Sequence, residues 1–220
     1  MSRVRKDPYR ISAYIYDFFV SSPNSHFKQR LLQTAPPRPG MQVLDVGCGT
    51  GSDLELYARA GCRVYGVDTS PTMLKLARRR LGELADLRLC SAGRLPYRDD
   101  GFDLVLTSFT LHEMPFEVRA AVIAEMARVV RPSGRIRLID FRSPPYLSLR
   151  GRADSVIIYI YERIAGGEHF RNGRDFLRRG GIQGLVSRSP LEVRARFLPK
   201  NRAIGVYLLQ KEDIRGGSSS

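Results

Sequence analysis

The residues best suited to chemistry lie in one stretch, Val43-Leu44-Asp45-Val46-Gly47-Cys48-Gly49-Thr50-Gly51. An apolar run leads straight into three closely spaced glycines, and a helix-forming segment follows. Glycine tolerates positive φ and lets backbone approach a ligand closely. A strand-to-helix turn of this kind makes a ligand cradle at the C-terminal edge of a sheet. A dinucleotide fingerprint needs G-x-G-x-x-G. The spacing here is G-x-G-x-G, with Ser52 where the third glycine should fall, which disfavours pyrophosphate at the helix start. The second feature is Gly66-Val67-Asp68-Thr69-Ser70. Asp68 stands 21 residues beyond Gly47, where a carboxylate can accept both hydroxyls of a ribose. Its competing role is to cap the following helix, which has Pro71 in its first turn.

Alternating elements position these groups. Gln42 to Val46 predicts a short buried strand, and Ser52 to Ala60 a helix with Ser52 as its cap. Arg63 to Val67 is a second strand. Ser70-Pro71 opens a second helix reaching about Leu84, with proline at the favoured first position. Leu87 to Cys90 and Phe102 to Thr107 read as the third and fourth strands. Glu117 to Val130 is an amphipathic helix ended by Arg131-Pro132-Ser133-Gly134, and Arg135 to Asp140 is a fifth strand. Such β-α-β alternation with near-continuous apolar strands implies a parallel sheet covered by helices. Beyond Asp140 the pattern predicts helices over Ala153 to Ile164 and Arg171 to Arg179, broken at Gly166-Gly167 and Gly180-Gly181. A closing strand pair is expected at Leu191 to Phe197 and Ile204 to Gln210. Helical pieces at Tyr9 to Val20 and Phe27 to Gln33 precede a breaker, Ala35-Pro36-Pro37-Arg38-Pro39-Gly40. The expected organisation is an N-terminal helical cap (1–40), an α/β domain (41–215) with an insertion over about 141–190, and a flexible tail (216–220).

Composition sets outer bounds. A chain of 220 residues, 43% of them hydrophobic, can bury a full core without cross-links. The three cysteines, Cys48, Cys62 and Cys90, have no CxxC spacing, which argues against both a disulfide framework and a zinc site. No metal is expected, and the thiols read as small buried residues. No run reaches the length of a membrane span. The N-terminus lacks an apolar signal core, so the expected location is cytoplasmic. A net charge of +14 suits an acidic partner such as nucleic acid or an anionic membrane surface. The bases are spread along the chain, however, and only five of the 36 are lysine. A merely solvated basic surface is the competing reading.

Four segments together carry a resemblance: VLDVGCGTG, GVDTSPTML, AGRLPYRDDGFDLVLTSFTLHEMP and ARVVRPSGRIRLID. In this order they resemble the motifs of class I S-adenosylmethionine-dependent methyltransferases, over roughly Gln42 to Asp140. The nearest branch is the quinone-biosynthesis group of small-molecule enzymes. The resemblance implies a Rossmann-like α/β fold with a mainly parallel seven-stranded sheet and helices on both faces. It implies S-adenosylmethionine as cofactor and S-adenosylhomocysteine as product. Asp45, Gly47, Gly49 and Gly51 would face the methionine part, and Asp68, with Thr69 beside it, the ribose. Ser91 and Ala92 would flank the adenine. The family often has aspartate where this chain has Ser91, whose hydroxyl accepts hydrogen bonds more weakly. Thr107 and Ser108 would line the reaction mouth. Tyr16 of the Tyr16-Asp17 pair would reach the methionine end from a covering helix, or simply pack there as an aromatic.

Methyl transfer from a sulfonium is an in-line displacement, served by alignment and exclusion of water. A base is needed only where the acceptor must lose a proton. His112, in Leu111-His112-Glu113-Met114-Pro115, is the candidate catalytic residue, because it follows the fourth strand and titrates near neutrality. Glu113 and His169 are weaker candidates, and a structural loop histidine is the alternative for His112. The expected function is methylation of a small-molecule acceptor at oxygen, carbon or nitrogen, an aromatic or quinone-like compound being one class. Alternatives are a phospholipid-headgroup or RNA methyltransferase using the basic surface, a non-catalytic S-adenosylmethionine-binding regulator, and a nicotinamide dehydrogenase. Nucleic acid is disfavoured because no RNA-binding module is recognisable. The basic, aromatic-bearing terminal regions suit peripheral membrane contact.

Overall fold

A computed structural model describes residues 32–143, 167–198 and 203–212. Seven strands form one sheet in the order β3-β2-β1-β4-β5-β7-β6. They are β1 (Gln42–Val46), β2 (Arg63–Asp68), β3 (Ala85–Leu89), β4 (Phe102–Ser108), β5 (Val130–Phe141), β6 (Leu191–Phe197) and β7 (Ile204–Lys211). β3, β2, β1, β4 and β5 pair in parallel. β7 pairs antiparallel with both β5 and β6. Among the described residues the main helices are α1 (Ser52–Arg59), α2 (Pro71–Leu81), α3 (Phe116–Val129), α4 (Gly167–Arg178) and α5 (Gly181–Val186). The Rossmann-like, mainly parallel sheet with helices on both faces is as the motifs implied. The strand order reverses between β1 and β4, which is where such sheets open a ligand crevice.

Alternation along β1 explains the two layers. Leu44 and Val46 pack with Val122, Ile123 and Met126 of α3. Val43 packs on the other face with Leu54 and Tyr57 of α1 and Leu74 of α2. Asp45 shares Val43's parity, so its carboxyl is directed to the α1 face.

Several boundaries differ from the sequence reading. Gly51, not Ser52, is the N-cap of α1. It sits in the left-handed region at φ 76°, and no side chain caps the helix. Ser52 is already helical, because Gly51 makes the turn without a side-chain bond. Ser70 does cap α2, its hydroxyl accepting from the Met73 N–H at 3.2 Å, with Pro71 at the first helical position. The stretch Arg131 to Gly134 does not form a separate loop. It is absorbed into β5, where the register with β4 shifts between Phe102 and Leu104; an irregular ladder tolerates Pro132. Gly167 and Gly181 lie inside helices rather than between them. Helix α5 itself was not foreseen. The expected helices at Tyr9 to Val20 and Ala153 to Ile164 lie outside the described residues.

Candidate active site

A cavity of about 280 Å³ opens at the C-terminal ends of β1, β2 and β4. That is near the lower end of the range for small-molecule sites. Asp45, Gly47, Gly49, Asp68, Thr69, Ser91, Ala92 and Ser108 all line it, as expected. Gly47 must be glycine twice over. Its φ is 76°, and an added Cβ would stand 2.3 Å from Thr110 Cγ2. Gly51 does not line the cavity; as the N-cap of α1 it packs against Leu81 and Ala77 of α2. Thr107 is 1% exposed and lies behind the wall. Tyr16 falls outside the described residues.

Asp68 bridges two backbone groups, while the cap of α2 belongs to Ser70. Its Oδ2 accepts the Gly49 N–H at 2.9 Å, and its Oδ1 accepts the Ser70 N–H at 2.8 Å. One carboxylate therefore ties the glycine turn to the start of α2. Arg80 of α2 reaches back to the same turn, donating to Thr50 Oγ1 at 2.8 Å and to its carbonyl at 3.1 Å. Ser91 Oγ accepts from the Gly93 N–H at 3.3 Å, which shapes the opposite wall.

The floor of the cavity holds a charge cluster. Asp53, in the first turn of α1, lines the cavity and is 8% exposed. Its Oδ2 accepts from Ser108 Oγ at 2.8 Å and from Arg137 at 3.1 Å. Arg137 is 1% exposed, in the middle of β5. It also donates to Tyr57 Oη at 2.9 Å, and that hydroxyl donates in turn to the Ala35 carbonyl. Register explains the meeting: Asp45, Leu106 and Arg137 are successive partners across β1, β4 and β5. Asp45 is buried, and its Oδ1 has no hydrogen-bond partner. Burial, followed by the nearby Asp53 carboxylate, pushes its pKa well above the ordinary aspartate value, with Arg137 opposing. Burial likewise raises the Cys48 thiol, so it is an inert packing group.

His112 is not where the sequence reading put it. It is 3% exposed and absent from the cavity wall. Its Nδ1 lies 2.8 Å from Asp140 Oδ1. Asp140 also accepts backbone N–H groups of Leu111, His112 and Phe141. The short turn Leu111–Glu113 is thus pinned to the end of β5, and the imidazole is drawn inward beneath Phe141. Glu113 faces the cavity instead. Its Oε1 lies 4.0 Å from His112 Nε2 and 3.9 Å from His169 Nδ1. Buried Arg119 of α3 donates to the Leu111 carbonyl, the Asn172 carbonyl and Asp175. Asn172 donates to the Glu113 carbonyl at 2.7 Å. These bonds fasten α4, which carries His169, to the cavity rim. No cluster with metal-ligand character occurs among the described residues.

Sequence reasoning missed Asp53, Arg137 and Phe109. Phe109 lines the cavity at φ 54°, a left-handed conformation rare for an aromatic residue. No local pattern marks any of the three.

Residues 44–138 match the family described as a methyltransferase domain. The chain is 35% identical over 150 residues to the ubiquinone/menaquinone biosynthesis C-methyltransferase UbiE of Cupriavidus necator. That match covers 64% of this chain and 60% of the relative. It is 40% identical over 108 residues to the demethylmenaquinone methyltransferase of Renibacterium salmoninarum, covering 49% of this chain and 44% of the relative. The chain thus spans less than two thirds of these relatives' length. The TehB-like SAM-dependent methyltransferase of Corynebacterium glutamicum superposes with a TM-score of 0.61 at 16% identity, over 93% of this chain and 98% of that chain. At that identity the likeness concerns the fold.

Proposed function

We propose that this chain, whose residues 44–138 match the family described as a methyltransferase domain, transfers a methyl group from S-adenosylmethionine to a small-molecule acceptor. The observation that carries the reading is the cavity lining: glycine turn, Asp68, Ser91 and Ala92 in one continuous wall at the switch point. The residues fit the cofactor. The glycine turn cradles its amino-acid end, and Asp45 has an unsatisfied buried oxygen there. Asp68 accepts the ribose hydroxyls, and Ala92 with Ser91 flanks the base. When bound, S-adenosylmethionine supplies an electrophilic methyl group on a sulfonium.

The remaining work belongs to the protein. Phe109, Met114 and Val118 give the wall apolar surface that excludes water. Glu113 is a cavity-facing carboxylate able to take a proton from an acceptor. His112, expected to act directly, positions Glu113 from behind through its Asp140 anchor. The favoured acceptor is an aromatic quinol-type compound methylated at carbon, by likeness to relatives named for quinone biosynthesis. A lipophilic acceptor and a net charge of +14 suit work at an anionic membrane surface. Among the described residues no helix is long and apolar enough to cross a membrane.

Calorimetric titration with S-adenosylmethionine and S-adenosylhomocysteine tests the reading. Micromolar binding is expected, weakened at least about tenfold in Asp68→Ala, the loss of roughly 1.4 kcal/mol for its ligand bonds. Absence of both ligands' binding, with NADH binding instead, refutes it. Transfer of labelled methyl to quinol, phenol and lipid acceptors then identifies the acceptor class.

A further inference from the structure

Gly47, Gly49 and Gly51 all have positive φ, at 76°, 52° and 76°. Glycine loses more conformational freedom on folding than any other residue, so a turn with three of them needs bonds from outside. The first half of the turn has them from β2. The Gly47 and Cys48 N–H groups donate to the Val67 carbonyl, and the Gly49 N–H donates to Asp68. The second half leans on α2 instead. A Cβ added to Gly51 would stand 2.8 Å from Leu81 Cδ1 and 3.3 Å from Ala77 Cβ. Arg80 shares that helix face, since residues three and four apart are neighbours on a helix. Its Nη1 donates to Thr50 Oγ1 at 2.8 Å and to the Thr50 carbonyl at 3.1 Å. Its Nε lies 3.6 Å from Glu55 Oε2 of α1. Thr50 is 5% exposed and lines the cavity. One guanidinium thus joins α2, the ligand turn and α1.

The two preceding arginines do something else. Arg78 is exposed and donates to the Leu87 carbonyl at 3.3 Å, and Arg79 is exposed. Successive helical residues point about 100° apart, so the run Arg78-Arg79-Arg80 sends one side chain to the turn. A guanidinium suits that place because its donors are fixed in one plane. We infer that Arg80 is a positioning residue for the cofactor: from outside the cavity it holds the second half of the glycine turn in the geometry that receives the ligand. The inference rests on the S-adenosylmethionine reading above. Without Arg80 the turn is in that geometry for only a fraction of the time, and the apparent affinity falls by the same fraction.

The test is calorimetric titration of the full chain with S-adenosylhomocysteine, paired with hydrogen exchange of the unliganded protein. Arg80→Met keeps the apolar stem and removes the donors. It should bind about tenfold more weakly, as a turn in the receiving geometry about one-tenth of the time requires. Arg80→Lys has one ammonium that can reach Thr50 but no fork, so it should recover part of the loss and bind about threefold more weakly than the wild type. Arg78→Met removes a guanidinium from the same helix turn without touching the cavity wall, and should bind as the wild type does. Exchange at the amides of the glycine turn should rise in unliganded Arg80→Met and return to the wild-type level on saturation with S-adenosylhomocysteine, while β1 and β4 stay protected. Wild-type affinity in Arg80→Met overturns the inference. An equal loss in Arg78→Met also overturns it, because the effect would then be general destabilisation. If Arg80→Met does not fold, Arg80→Lys decides, and wild-type affinity there overturns the inference. No binding of S-adenosylhomocysteine by the wild type overturns the cofactor reading itself, a distinct outcome.

Discussion

Replacing Arg137 by methionine should be the most damaging single change at the cavity floor, and its size can be worked from the contacts. The guanidinium is 1% exposed, bonded to Asp53 and Tyr57, with its centre 5.7 Å from the Tyr57 ring. Methionine matches its length and apolar stem but carries no charge. The variant leaves the two buried acids, Asp45 and Asp53, without the Arg137 charge. Removing one partner of a buried pair costs about 3–5 kcal/mol. Asp53→Asn is milder, at roughly 1–2 kcal/mol, since Arg137 keeps Asp45 and the amide oxygen still accepts from Ser108. The double variant leaves neither charge unpaired. It should be no worse than Arg137→Met alone, so the two changes couple by about 2 kcal/mol. For a chain of this size each kcal/mol moves the melting temperature by roughly 2–4 °C, so Arg137→Met should melt roughly 6–20 °C below the wild type. Thermal and urea denaturation of the three variants complete the cycle. Additivity to within about 0.5 kcal/mol means that the two side chains do not interact, and the floor described here would then be wrong.

Other outcomes follow from the same geometry. Gly47→Ala should lose about 1–3 kcal/mol of stability from its left-handed backbone alone, and adding Thr110→Ala should recover only the part due to the clash, as read by chemical denaturation. Asp45 has a raised pKa when folded, so the folded state binds the extra proton. Unliganded stability should therefore fall as pH rises from about 3.9 toward that raised value. Asp45→Asn should flatten this slope in melts across pH. Arg119→Ala removes three bonds that tie the Leu111–Glu113 turn to α4. It should cost about 2–4 kcal/mol, and hydrogen exchange should rise in α4 before it rises in β1 or β4.

Local sequence determined the order of elements, because each carries its own period and punctuation. Strands β1, β2 and β4 read as apolar runs, Ser70-Pro71 marked a helix start, and three glycines marked the turn that needs left-handed backbone. The motif positions Asp45, Gly47, Gly49, Asp68, Ser91 and Ser108 all came to one cavity, because each sits at a strand's C-terminal end or just beyond it. A parallel sheet brings those ends to one edge. Side-chain direction at the ends was beyond local pattern. His112 turned inward because Asp140, 28 residues away, accepts both its ring and its backbone N–H. Ser52 lost its cap role because Gly51 adopted the left-handed conformation first. Asp53 and Arg137 carry no local pattern that marks them. They are 84 residues apart in the chain, and only the β1-β4-β5 register makes them a buried pair. The sequence by itself determined where a ligand is cradled, since that depends on backbone each segment can adopt alone. The tertiary structure alone decided how charge is balanced beneath it, since that depends on which distant strands become neighbours.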